Sequence, residues 1–497
     1  MNNASSYRWL WIGAVALLSW LSYGDVVGRG LYADDFVFGW LSQSHTYWDA
    51  VRYWHEVAPA GDRLFLAILT PFVYGLFCSR SLLESHLGAF HVLLVAIHLA
   101  NTVLLWLLLR RYRLRPLASG TGALLFLLHP AKNRAVLWPA AAYGYGIPLL
   151  LFLLGWHCVI KTERTRPVVA IVGYGLWIAA ALSIEQFVMV EVGLLLVWSL
   201  HEAVRSRRWT RLHAAHLTAA VVLCCVFFGA HFGLGDATSK RLATYDARLS
   251  HAEPTGLQGW LSYVVTAGKI VVWRLNPLPS HSAHEEAWSL VREGIGHPIL
   301  FAGLGAVVAG FALALWPAPP ARGEGGWAVA EGAVLAVTAL IPFLLLGMGA
   351  GPPRGMLLVM VGLALVVGGV VEEGLACARS GVAARATVAA AVVLFAALAT
   401  VANAGYQAGY RQVWAMERGV LQEVATHAWQ EGDRVIVEGL PKGPLFAQLF
   451  EDSWGLYHAL RWITHLDDID GWTPRMKEPR PESAPGHLVT IHVQGSR

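Results

Sequence analysis

The chain has 497 residues, of which 56% are hydrophobic and only 14% charged, with a mean hydropathy of +0.49. A water-soluble domain carries about a quarter charged residues, so the composition excludes an ordinary soluble enzyme and predicts a polytopic membrane protein. The net charge of +4, with no basic cluster interleaved with aromatics, excludes a nucleic-acid partner.

In chain order, the first apolar run, 9–25, follows Arg8 and reads as an uncleaved signal anchor. "GLYADDFVFGW" at 30–40 comes next and holds the adjacent carboxylates Asp34 and Asp35. Two carboxylates side by side raise each other's pKa, which suits a general base. Such a pair equally suits an N-cap and first-turn acid of a juxtamembrane helix. The stretch 61–78, "GDRLFLAILTPFVYGLFC", is apolar but carries Arg63 and Pro71, and is expected to be re-entrant or to lie in the outer leaflet. A long helix over 86–108 places His91 and His98 seven residues apart on one face. Short basic loops stay cytoplasmic. "RRYRLR" at 110–115, "KTERTR" at 161–166, "RSRRWTR" at 205–211, Arg322, and Arg379 with Arg385 are five such loops. Keeping all five inside requires two helices between 115 and 161, turning at "HPAKNRAVLWPAAAYG". It requires two more between 166 and 205, turning at "SIEQ".

Roughly 11 spans result: 9–25, 86–108, 116–130, 143–160, 167–183, 186–201, 213–233, 298–316, 327–348, 355–371 and 385–402. The fold class is therefore an all-α polytopic membrane protein, with a small α/β domain at the C-terminal end. Residues 1–402 form the transmembrane domain, with outer loops 26–85 and 234–297. Residues 403–497 form the small domain, with "RVIVEGL" and "HLVTIHVQ" as strands and "FEDSWGLYHALRWIT" as an amphipathic helix. The N-terminus is expected in the cytoplasm and the C-terminal domain outside.

The outer face then collects the acidic pair, His129 and Arg134 in the "HP" turn, Glu185 in "SIEQ", and Arg354 in "GPPRG". Polar groups converging at one face of a membrane protein mark a site. Arg354 suits a phosphate through paired hydrogen bonds, and suits headgroup snorkelling as well. Lys269 and Arg274, in "GKIVVWRLNPLPSH", carry the same two readings on a helix that reads as interfacial. A divalent metal is left open as a cofactor. "HSAHEE" at 281–286 is its candidate cluster, although no spacing is diagnostic. Glu191 lies deeper than Glu185 and has no partner visible in the sequence. The five cysteines show no metal spacing, and the neighbours Cys224 and Cys225 read as small apolar residues.

Several of these stretches, in order over about 1–372, resemble the GT-C superfamily of membrane glycosyltransferases. The nearest resemblance is to bacterial relatives of the transmembrane-and-tetratricopeptide O-mannosyltransferases. The stretches are the "DD" after the first helix, "DRLFLAILTPFVYGLF", "FHVLLVAIHLANTVLLWLLLRRY", "HPAKNRAVLWPAAA", "SIEQ", "IVVWRLNPLPSH" and "PRGMLLVMVG". The chain departs from that pattern at Arg134, where the family has a glutamate, and at Ile184, where it has a lysine. The proline after Arg63 and the tetratricopeptide repeats are also missing.

The resemblance implies an inverting transfer from a polyprenyl-phosphate sugar to an acceptor hydroxyl on the extracytoplasmic face of a bacterial inner membrane. The acceptor is a protein, lipid or glycan, and membrane lipids surround the chain. Asp34 or Asp35 would be the base. Arg354, Lys269 and Arg274 would hold the donor phosphate. Arg63, His91, His129, Arg134 and Glu185 would line the cavity. The competing readings are an O-antigen polymerase or ligase, a polysaccharide or lipid transporter, and a non-catalytic scaffold of envelope glycan assembly.

Overall fold

The structure, a computed structural model, describes residues 3–25, 28–33, 35–57, 64–79, 83, 85–160, 167–206, 217–226, 256–276, 282–294, 297–316, 324–345, 353–378, 381–440, 450, 453–466, 468–474, 480 and 486–492. The chain is a helical membrane-type protein with a small parallel sheet at its C-terminal end. The first helices are α1 (Asn3–Tyr23), α2 (Asp35–Ser44), α3 (Tyr47–Val57), α4 (Leu64–Phe77), α5 (Leu87–Arg111) and α6 (Pro116–Leu128). A 3-10 turn, Pro130–Lys132, leads to α7 (Arg134–Leu137) and α8 (Pro139–Ile160). Then come α9 (Pro167–Ala181), α10 (Glu185–Ser206), α11 (Leu217–Val226), α12 (Gly256–Arg274), α13 (Ser282–Gly294) and α14 (His297–Leu315). The last membrane helices are α15 (Gly325–Thr338), α16 (Ile341–Leu345), α17 (Met356–Cys377) and α18 (Gly381–Val424).

Each expected span coincides with a described helix over at least part of its length; 327–348 falls on two, α15 and α16, and of 213–233 only 217–226 is described. Among the described residues, five segments are long and apolar enough to cross a membrane: Leu87–Arg111, Pro139–Ile160, Gly325–Leu344, Met356–Cys377 and Gly381–Val424. The turn at "SIEQ" is present between α9 and α10. The fourth span begins earlier than expected, at Pro139, because proline suits the first helical position, where no N–H is needed. α4 is a 14-residue helix with Pro71 inside it, about 21 Å long. That is short of the roughly 30 Å apolar layer. Position 403 lies inside α18, which continues unbroken to Val424.

Close backbone approach builds the α15–α17 pair. Gly325 and Gly332 face Gly362 and Gly369 in two steps of seven residues. A Cβ at Gly362 would lie 2.5 Å from the Gly332 carbonyl oxygen and 2.6 Å from the Ala336 nitrogen. Small residues at such contacts let helices pack without side chains between them. Gly362→Ala is therefore expected to cost about 1–3 kcal/mol through overpacking, read as a lower melting temperature of the detergent-solubilised chain. An unchanged melting temperature would mean the two helices can part freely.

At the opposite end of α5 from His91, the basic "RRYRLR" loop is tied down by acids from this pair. Glu372 accepts from the Arg115 backbone N–H at 2.7 Å and pairs with the Arg115 Nε at 3.3 Å. The Tyr112 hydroxyl donates to Glu331.

The tail folds as β1 (Arg434–Glu438), α19 (Ser453–Thr464), β2 (Asp470–Trp472) and β3 (Leu488–His492), all parallel in the order β2-β1-β3. β1 is buried at its centre, as the middle strand of a parallel sheet requires. α19 seats on α2. Trp462 lies so close over Gly39 that a Cβ there would fall 2.1 Å from its ring, and its indole N–H donates to the Ser79 carbonyl at 3.2 Å. Glu417 of α18 accepts from the Phe450 N–H at 2.8 Å. The tail is thus attached to the same loop region that carries the acidic pair.

Candidate functional site

Asp35 is the first residue of α2 and is completely buried. Its Oδ1 accepts from the Tyr74 hydroxyl of α4 at 2.5 Å and from the Ala140 N–H at 2.7 Å. Its Oδ2 accepts from the Tyr32 N–H at 2.8 Å. Ala140 is the second residue of α8, so its N–H is one of the free donors at a helix start. Asp35 therefore caps a helix 105 residues away in sequence, where the helix dipole favours a negative charge. The capping role expected for the pair is found on this residue, directed at α8. Between Tyr32 and Asp35, Ala33 sits at φ +49°. That left-handed conformation is uncommon outside glycine, and the bonds to Asp35 help to hold it. Asp34 lies outside the described residues.

The rest of the loop is anchored as tightly. The Nε2 of His91 meets the Gly30 carbonyl at 3.0 Å, so this nitrogen carries the proton. Arg29 donates to the backbone carbonyls of Tyr23 at 2.6 Å and Asp25 at 2.7 Å. Burial pulls the Arg29 guanidinium down to about 10, against the opposing charge of Asp25, and it stays charged at neutral pH. The indole N–H of Trp138, in the turn before α8, donates to the Tyr32 carbonyl at 2.9 Å. Over the same Trp138 ring lies the Arg354 guanidinium, 5.0 Å from its centre. Arg354 is half-buried in the 3-10 turn Pro353–Gly355, which packs on α7 and on the Pro130–Lys132 turn. Among the described residues it makes no ion pair. One indole thus connects the acid-bearing loop to a cation.

The "HP" turn supplies a second cationic cluster. His129 Nδ1 accepts from the Ala131 N–H at 3.1 Å, capping the 3-10 turn, and its Nε2 donates to the Leu275 carbonyl at 2.9 Å. That bond draws the end of α12 to the turn. It brings Arg274 near Arg134, so that burial first, and then the Arg134 charge, hold Arg274 below its ordinary value. Tyr406 of α18 and Glu286 of α13 lie in the same neighbourhood. Lys269 is exposed. It stands five residues, about 140° of helix rotation, from Arg274, so the two do not share a face.

Lys132, Tyr74, Tyr32 and Trp138 were not singled out by the sequence, although "PFVYGLF" and "HPAKNRAVLWPAAA" contain three of them. Lys132 is fully buried and donates to Tyr23 Oη at 3.0 Å and to the Leu127 carbonyl at 2.8 Å, with His98 Nε2 3.2 Å away. Burial pulls its ammonium well below the ordinary lysine range. Asn403 of α18 joins this network through the Tyr23 hydroxyl at 3.2 Å and the Leu128 carbonyl at 2.8 Å. Glu191 is fully buried, and neither carboxylate oxygen has a hydrogen-bond partner among the described residues.

Arg63, the Glu185 side chain, His281, the His284 side chain and the stretches 234–255, 277–281 and 295–296 of the loop 234–297 lie outside the described residues. Among those that are described, no group of three or more His, Cys, Asp or Glu side chains is placed to hold a metal ion.

No protein-family model matches the chain, and no curated protein matches it. Solved structures do match. One is the crystal structure of ArnT from Cupriavidus metallidurans bound to undecaprenyl phosphate. It is similar at 14% sequence identity over 94% of this chain and 86% of that one, with a TM-score of 0.42.

Proposed function

We propose that the chain is an inverting glycosyltransferase, moving a sugar from a polyprenyl-phosphate donor to an acceptor hydroxyl on the extracytoplasmic face of a bacterial inner membrane. The observation that carries this reading is Trp138, whose N–H holds the acid-bearing loop while its ring lies under Arg354. The transfer needs a carboxylate and a cation at one site. The acceptor oxygen attacks the anomeric carbon and gives its proton to the base. The bond from that carbon to the phosphate oxygen breaks, and the leaving polyprenyl phosphate takes the electron pair.

Asp35 is engaged by three donors, so the base role falls to Asp34. Arg354 stabilises the charge gathering on the departing phosphate, where a fixed cation acts more strongly on the transition state than on the ground state. Arg274 and Arg134 form a second cationic position for the donor, one element away. His91 and His129 act by holding the loop and the turn in place.

The test is a transfer assay on purified chain with a panel of polyprenyl-phosphate sugars, following release of polyprenyl phosphate. One donor is expected to turn over, and Arg354→Gln to lower its turnover about a hundredfold or more. Arg354→Lys should restore only part of the loss, because an ammonium lacks the planar fork that stacks on an indole and grips a phosphate. A panel with no active donor would sink the reading.

A further inference from the structure

α18 does not stop at the membrane. An apolar layer of about 30 Å needs roughly 20 residues, and the apolar part of α18 ends near Gly405, yet the helix runs on to Val424. Along this outer extension the exposed Arg411, Ala415, Arg418 and Gln422 form one stripe. With Gly28 and Trp414 they line a groove of about 440 Å³, within the usual size range of small-molecule sites. Gly28 has φ +84°, and a Cβ there would meet the Arg411 side chain at 3.3 Å, so glycine lets the loop run close beside the helix. Trp414 is a wall shared with the acid loop: Gly30 lies directly on its ring, and Phe36, next to Asp35, packs against it at 6.4 Å.

The groove is cationic. Arg411 holds Asp25 at 2.8 Å in an ion pair that is about half exposed. Exposed pairs are weak and exchange readily. Arg418 is exposed and, among the described residues, has no carboxylate partner. The two guanidinium-bearing positions are seven residues apart, about 10 Å along the helix, with a small apolar residue between them and an amide beyond. Guanidinium groups recognise carboxylate and phosphate oxygens through paired bonds. Arg418 stands 13 residues past Gly405, about 20 Å along the helix axis from the end of the apolar stretch. That is beyond the reach of a phosphate seated in the bilayer surface.

We propose that this groove binds a saccharide carrying an anionic group, and that this glycan is the acceptor. The word acceptor rests on the transferase reading; the binding does not.

The experiment titrates the full chain, in phosphatidylcholine nanodiscs at low salt, with tetragalacturonate and with neutral maltotetraose. Tetragalacturonate should bind at least tenfold more tightly and weaken as salt rises. Arg418→Gln and Ala415→Glu should each weaken it at least tenfold without moving the melting temperature, since both positions are exposed. Equal binding of the two probes, or no effect of either substitution, overturns the proposal. Loss of tetragalacturonate binding on adding phosphatidylglycerol to the nanodiscs also overturns it, by assigning the groove to a lipid headgroup. The titration needs no donor and no turnover. Selective binding without transfer would count against the transferase reading alone, and transfer without selective binding would count against the groove alone.

Discussion

Asp34→Asn is expected to lower sugar transfer by about a thousandfold while the chain folds and melts as before. A positioned general base contributes on the order of 10²–10⁴ to a rate, and an amide cannot take the acceptor's proton. Asp34 is the member of the pair left for this task, because the carboxylate of Asp35 is already shared among Tyr32, Tyr74 and Ala140. The measurement is release of polyprenyl phosphate from the active donor, paired with a melting curve in the same detergent. A variant that transfers at the parental rate would leave the chain without the proposed base.

The companion substitution, Asp35→Asn, should act through stability. The amide oxygen can replace Oδ1 for the Tyr74 hydroxyl and the Ala140 N–H. The amide NH₂ would then face the Tyr32 N–H, donor against donor, in a site with no water access at Asp35. A buried donor left unpaired costs about 1–3 kcal/mol, and the lost charge-assisted bonds add to it. The expected total is about 2–4 kcal/mol, with the α8 start and the Tyr32–Asp35 turn loosened together. Tyr74→Phe removes one donor to the carboxylate and leaves the other two, so it should cost less, about 1.5–2 kcal/mol. Melting curves of both variants check the order. Asp35→Asn melting at the parental temperature would mean the carboxylate is not the anchor described.

The two predictions separate what a sequence can say about "ADDF" from what it cannot. Two adjacent acids read as a possible base or as a helix cap; Asp35 is engaged as a cap, and the base role is the one proposed for Asp34. The cap of Asp35 serves α8, through Ala140, which is 105 positions away, and no local rule for helix ends reaches that far. His129 shows the same pattern. As a lone histidine after an apolar helix it read as a cavity residue, and both its nitrogens are engaged with backbone, one of them at Leu275. The helix α18 was read as ending with its apolar run, because hydropathy falls at 403. It continues because its polar half packs on the tail and on the acid loop through Glu417, Trp414 and Tyr410.

The sequence by itself determined the long apolar helices, their turns at "SIEQ" and at the "HP" segment, and the strands β1 and β3 of the tail, but not α3 or α13. Apolar runs must satisfy their own backbone hydrogen bonds, and helices do so locally. The strands announce themselves by their short β-branched runs between turns. Tertiary structure alone decided which acid is consumed, which indole stands under Arg354, and that Arg411 and Arg418 face a groove beside the same loop. Those are contacts between side chains far apart in the chain. Their distances and directions are set by how the helices pack, and the spacing of residue types does not encode them.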